Sequence, residues 1–199
     1  MITSPVFPSA IYALIYTISF LCWIAFEAWV FLREGRTRRD RSRDRGSASL
    51  VLLLLSLGIA LGFNLPRLAP GYNMQAFFPA FFALGIALIF GGLLFRFWAI
   101  RTLGRFFRTR IVIQEQHQLI TSGPYRRLRN PSYTAVLMVL LGLGFGIGNW
   151  LSVLVFFAAG VIAYATRIAL VEEPALMQRF GQEYQDYKKR SWALIPFVW

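Results

Sequence analysis

The segment GPYRRLRNPSY, residues 123–133, is where a basic, water-facing stretch stops and an apolar helix begins. Asn130 before Pro131 is a helix-start signal, because the Asn side chain can cap free backbone N–H groups and a proline at the first helical position loses no hydrogen bond. Arg129 then stands beside the positive end of a helix dipole, a place that attracts carboxylates and phosphates. Read alone, Arg129 is better accounted for as a positive anchor at a membrane edge and Asn130-Pro131 as a simple cap.

Working outward from this junction, the chain is apolar on a scale that one small soluble core would not hide. Of its 199 residues 57% are hydrophobic and only 15% charged, which places it in a bilayer. Apolar runs at 8–32, 48–65 and 76–100 precede the junction, and runs at 132–148 and 151–170 follow it. Each is read as a transmembrane helix, giving an all-α polytopic membrane protein of five crossings. The first run has no basic start and no small-residue cleavage site, so it reads as a retained helix rather than a secretory signal.

The net charge of +12 comes mainly from two arginine-rich blocks, 33–46 and 101–131. Their position between apolar runs is that of cytoplasmic loops, which excludes nucleic acid as the expected partner and favours anionic membrane lipids. The same charge count puts the N-terminus outside and the C-terminus in the cytosol. Within the second block, Ile111-Val112-Ile113 and Leu119-Ile120 flank a polar tract containing His117, read as a short hairpin or extended loop on the membrane face. Cys22 is the only cysteine. It allows no intrachain disulfide and no cysteine metal site, and no metal is expected.

Between the fourth and fifth runs stands only Asn149-Trp150, a tight helical hairpin. Gly142, Gly144, Gly146 and Gly148 let another backbone, or a ligand, approach the fourth helix closely. After the fifth run come Glu172-Glu173-Pro174. Leu176, Phe180, Tyr184 and Tyr187 then recur at helical spacing, so 174–189 reads as one amphipathic helix lying on the membrane or over the loop. Trp192, Phe197 and Trp199 read as interfacial anchors. Glu27 and Arg96 are the ionisable residues most clearly inside apolar runs, at similar depth near the cytosolic ends of their helices. They either form a structural ion pair, line a substrate pocket, or snorkel to the interface. The chain is read as a single membrane domain, 1–199.

Taken together, His117-x-Leu119, Gly123-x-Tyr125, Arg129-Asn130-Pro131-x-Tyr133, the apolar hairpin, Glu172-Glu173, Phe180-Gly181 and Glu183-Tyr184-x-x-Tyr187 resemble the C-terminal half of the isoprenylcysteine carboxyl methyltransferase family. The phospholipid N-methyltransferases share a related pattern. The resemblance runs from about Leu103 to Pro196. It departs from the family at Asn130, where histidine is usual, and at Ala135, where glycine is common.

The resemblance implies an integral-membrane enzyme that uses S-adenosylmethionine, held between the cytosolic loop, the start of the fourth helix and the tail. By similarity His117, Leu119, Gly123 and Tyr125 form the adenosine-side loop. Arg129, Asn130 and Tyr133 become contacts from the fourth helix, and Glu172 and Glu173 become partners for amino or hydroxyl groups. Arg129 and Glu173 are the residues on which the chemistry is expected to depend. The methyl acceptor is a lipophilic carboxylate, such as an isoprenylcysteine, or a lipid amine, and the basic mouth leans towards an anion. A nicotinamide-dependent membrane reductase of the sterol-reductase type and a non-enzymatic membrane adaptor are the alternatives.

Overall fold

The computed structural model describes residues 6–33, 46–107 and 119–198. Seven α-helices account for most of these: α1 (Ala10–Arg33), α2 (Ser47–Leu68), α3 (Phe78–Leu103), α4 (Pro131–Ile147), α5 (Trp150–Arg167), α6 (Glu173–Phe180) and α7 (Gln182–Lys189). There is no strand among the described residues, only two isolated bridges, Asn73 with Asn149 and Leu128 with Trp192. His117, the hairpin read at 111–120 up to Gln118, and most of the first arginine block lie outside the described residues. Leu119-Ile120 is not in regular structure.

α1, α2, α3 and the continuous helix from Trp150 to Phe180 are each long and apolar enough to cross a membrane. The chain is thus a multi-pass membrane protein. α4, with 17 residues, is shorter. Apolar all round, it is the central helix, packed between α3 and α5 with most of its residues buried.

Small residues set that packing. A Cβ built on Gly85 of α3 would lie 2.4 Å from the backbone nitrogen of Gly146, and one on Gly142 would lie 2.6 Å from the carbonyl of Gly85. Gly92 likewise meets the carbonyl of Ala135. The two backbones touch, so the glycines of α4 serve helix packing on this face.

In a bilayer every backbone polar group needs a partner inside the protein. Pro66 shows how one is found. It lies inside α2 and has no N–H, which deprives the carbonyl of Gly62 of its helical partner. The Ser152 hydroxyl of α5 donates to that carbonyl at 2.7 Å. Asn149 caps α5 by accepting from the Ser152 amide at 3.0 Å, and its Nδ2 donates to Asn73 at 2.7 Å. These bonds lock the loop ends together opposite the basic junction.

At the junction end two expectations change. The 174–189 helix is two helices broken at Gly181, whose φ of +51° suits glycine alone. Nor does α5 end before them. It runs through a π turn, Ile168–Glu172, into α6.

Candidate active site

Pro131 opens α4 and Asn130 occupies the capping position, but the Asn130 side chain makes no capping bond. Its Nδ2 donates instead to the carbonyl of Ala193 at 2.8 Å. This corrects the capping role read from sequence. The chain after α7 returns to the start of α4, and its Ala193 carbonyl accepts from the Nδ2 group, which fixes how the Asn130 side chain is turned. The Thr134 hydroxyl donates to Leu194 at 2.6 Å, the Arg129 amide to the Trp192 carbonyl at 2.8 Å, and the Trp192 amide to the Arg127 carbonyl at 2.9 Å.

Arg129 completes the attachment. Its guanidinium meets Glu173 at 3.2 Å and donates to the carbonyls of Lys188 and Ser191. Lys188 approaches the other Glu173 oxygen at 2.5 Å. Glu173 therefore holds the end of α7 to the first turn of α4.

Glu172 faces a different group. Tyr133 and Arg167 both donate to the same oxygen, Arg167 from Nε at 2.9 Å. Arg167 also reaches Tyr133 at 3.0 Å and Ser47, at the start of α2, at 2.9 Å. Tyr133 in turn stacks on Tyr164, ring centroids 4.3 Å apart.

These groups line one end of a cavity of about 700 Å³. Leu119, Tyr125, Arg129, Asn130, Tyr133 and Glu172 all contribute to its wall. Gly123 and Glu173 do not. Gly123 (φ +56°) opens the short turn carrying Tyr125 and packs over Thr102. The tail contributes its apolar face, Leu176, Phe180, Tyr184 and Tyr187 of α6 and α7, to the cavity wall.

The other end of the cavity is a chamber between α1 and α2, walled by residues such as Trp23, Ile24, Val51, Leu52, Leu55 and Ile59. Glu27 and Arg96 also face the cavity. They pair at 2.8 Å, with Trp23 donating to Glu27 at 3.1 Å and Arg96 to the Ser132 carbonyl at 3.1 Å.

Burial keeps the outer tyrosines neutral. Tyr187, which donates to the Tyr125 carbonyl at 2.5 Å, has its pKa pushed up to about 12 by desolvation, with Arg129 pulling the other way. Desolvation raises Tyr125 and Tyr184 further, helped by Tyr187 and Glu172 for the first and by Glu173 for the second. All three remain hydroxyl donors at neutral pH.

Sequence reasoning missed Arg167, Ser132, Trp23 and Tyr164. Arg167 carried a usable signal, a cation at the end of an apolar run just before two carboxylates. Arg96, Arg129 and Arg167 each carry their own carboxylate, Glu27, Glu173 and Glu172.

Fold and cavity together define a polytopic membrane protein with one amphipathic site at its basic end. Residues 80–183, just over half of the chain, match the phospholipid methyltransferase family, and the chain belongs to that family. Among curated relatives, the probable protein-S-isoprenylcysteine O-methyltransferase of Oryza sativa subsp. indica is 34% identical over 117 residues, 58% of this chain and 61% of the relative. Protein-S-isoprenylcysteine O-methyltransferase B of Arabidopsis thaliana is 36% identical over 116 residues, 57% and 58% of the two chains. The chain spans about three fifths of the length of these relatives. The solved structure of a eukaryotic intramembrane Ras methyltransferase, isoprenylcysteine carboxyl methyltransferase, superposes with a TM-score of 0.60 at 24% identity, over 74% of this chain and 52% of that one, and shares its fold. The resemblance carried by the motifs from His117 to Tyr187 is borne out.

Proposed function

We propose that the protein transfers a methyl group from S-adenosylmethionine to a lipophilic acceptor at the cytosolic face of its membrane. The observation that carries this reading is a cavity whose wall combines polar groups around the first turn of α4 with apolar side chains of α1 and α2. At about 700 Å³ it falls within the roughly 300–1,000 Å³ usual for small-molecule sites. The names of the relatives, isoprenylcysteine O-methyltransferases, support the same chemistry.

The donor set fits the cofactor. Glu172 and Asn130 offer hydrogen-bond acceptors for amino and hydroxyl groups, the Tyr125 hydroxyl offers a donor, and Leu119 and Phe180 offer apolar surface for a ring. When bound, the cofactor supplies a methyl group already activated by its sulfonium, so the protein has to align, hold and exclude water. Tyr133 and Arg167 fix the Glu172 carboxylate. Arg129 and Glu173 are positioning residues, which hold the tail as the cover that keeps water out. In this reading both residues serve the chemistry through the tail rather than by touching the donor. Leu119 and Tyr125 form the described part of the loop-side wall, to which His117 is expected to belong.

In this reading α4 is the fifth crossing, about 25 Å long at roughly 1.5 Å per residue. The N-terminus is outside, and α6 and α7 form a cytosolic amphipathic cover. The acceptor enters sideways from the bilayer through the chamber.

The test uses the full chain in lipid nanodiscs with methyl-labelled S-adenosylmethionine and a lipid extract. Label should appear in an extracted lipid or lipidated species, and Glu172→Gln should weaken donor binding about tenfold, the order expected for one hydrogen bond to a charged group. Binding of NADPH without binding of the labelled donor would replace this reading with the reductase one.

A further inference from the structure

The chamber holds a charge pair whose arrangement bears on what the methyl-receiving head group is. Arg96 is buried, with its side chain 7% exposed, while the side chain of Glu27 is 31% exposed and faces the cavity. The guanidinium is occupied. One Nη donates to Glu27 at 2.8 Å, and the other is held by the Ser132 carbonyl and hydroxyl at 3.1 and 3.3 Å. Arg96 Nε has no hydrogen-bond partner among the described residues, but less than 1 Å² of it is exposed, so a ligand has no access to it.

The carboxylate is the open member of the pair. Trp23 Nε1 and Arg96 each take one lone pair of Glu27, one on each oxygen, and each oxygen retains another. Glu27 is therefore the charged group that the apolar chamber presents with room to accept hydrogen bonds, beside the Ser56 and Tyr164 hydroxyls of the same wall. The other two arginines on the cavity wall are bound to Glu173 and Glu172. No described arginine of the wall is left to receive an anion without breaking an ion pair.

Glu27 lies on α1, outside the residues 80–183 that match the family. Resting on the methyl-transfer reading, we infer that Glu27 is a specificity-determining residue and that it selects a lipid amine over a lipid carboxylate as the methyl acceptor. An amine head donates N–H to Glu27, whereas a carboxylate meets a like charge and finds Arg96 already paired. The chemistry agrees in sign. A neutral amine bonds to the methyl carbon as the methyl–sulfur bond breaks, that bond's electron pair stays on sulfur, and the positive charge arrives on nitrogen beside Glu27. A carboxylate would lose its charge in the same step and gain nothing from the neighbour.

The experiment compares methyl transfer from labelled S-adenosylmethionine to phosphatidylethanolamine and to N-acetyl-S-farnesylcysteine, in nanodiscs, for the wild-type chain and Glu27→Gln. The wild type should favour the amine. Glu27→Gln, which keeps the shape and the Arg96 contact but loses the charge, should shift the amine-to-carboxylate ratio about tenfold or more towards the carboxylate while donor binding is retained. A wild-type preference for the farnesylcysteine, or an unchanged ratio in Glu27→Gln with donor binding retained, overturns the proposal. A second measurement uses only the wild-type chain and does not depend on the variant folding. Geranylgeranylamine should inhibit better than the geranylgeranyl carboxylate of equal length, and the reverse order also overturns it. Failure of the wild type to bind donor or methylate either lipid overturns the methyl-transfer reading itself, a result distinguishable from a wrong preference.

Discussion

Removing the Arg129 side chain should release the cover from the site without unfolding the bundle. The guanidinium, only 8% exposed, meets Glu173 at 3.2 Å and donates to the carbonyls of Lys188 and Ser191. In Arg129→Ala the Glu173 carboxylate keeps Lys188 at 2.5 Å, so it does not become an isolated buried charge. What is lost is one charge-assisted pair and the partners of two carbonyls. At about 1–3 kcal/mol for a hydrogen bond to a charged group, and with part of the loss recovered by water at the half-buried Lys188, the docked state should weaken by about 2–4 kcal/mol. Two backbone amides report directly on docking, because Arg129 N–H donates to the Trp192 carbonyl and Trp192 N–H to the Arg127 carbonyl. Their hydrogen exchange in nanodiscs should accelerate at least about 30-fold, while amides in the middle of α4 keep their protection. Glu173→Gln should have a smaller effect of the same kind, since Lys188 then loses its counter-ion but the carbonyl contacts of Arg129 survive. Unchanged exchange at both reporter amides in Arg129→Ala would refute the clamp.

The same docking should depend on pH through Tyr187. Its pKa is raised from 10.0 to about 12 in the docked state, first by burial. A raised folded-state value means a contribution that is complete below about pH 10 and is lost as pH climbs towards 12, so protection of the Trp192 amide should be flat to pH 10 and then fall, with a smaller fall in Tyr187→Phe. Gly85→Ala places a methyl group 2.4 Å from the Gly146 backbone nitrogen, and should lower the melting temperature by several degrees, for about 1–3 kcal/mol of overpacking, whereas Gly71→Ala, with nothing within 4 Å, should not. Asn149→Ala strips the cap of α5 and the bond to Asn73 at the far end of the bundle, and should cost about 1–3 kcal/mol in thermal stability while leaving donor affinity unchanged.

What the sequence made legible were features fixed by short-range chemistry. Apolar length marked α1, α2, α3 and α5, Pro131 marked the start of α4, and Glu27 and Arg96 stood out as charges inside apolar runs, for which an ion pair is one of three readings; they pair at 2.8 Å and line the cavity. Asn130 makes no cap because its side chain is turned to donate to the Ala193 carbonyl, which is supplied by chain more than sixty residues away. Local preference says nothing about such a return. The tail was read as one helix because its apolar spacing continues across Gly181, and spacing alone does not register a positive φ.

Arg167 and Glu172 show why part of the site was hidden. Five residues apart on a regular α-helix, two side chains point about 140° from each other, so their pairing is not a neighbour relation that helical periodicity would suggest. The π turn at Ile168–Glu172 widens the helix at that point, and the Arg167 Nε reaches the Glu172 carboxylate at 2.9 Å. The same widening separates the duties of two adjacent acids. Glu172 turns into the cavity with Arg167 and Tyr133, while Glu173, the first residue of α6, points to Arg129 and Lys188. Without the π turn the helix would carry one of these carboxylates away from its arginine, and wall and cover would not both be held. The adjacent pair Glu172-Glu173 thus gains its meaning from a backbone irregularity five residues long, placed where α5 runs on into α6 beside the cavity.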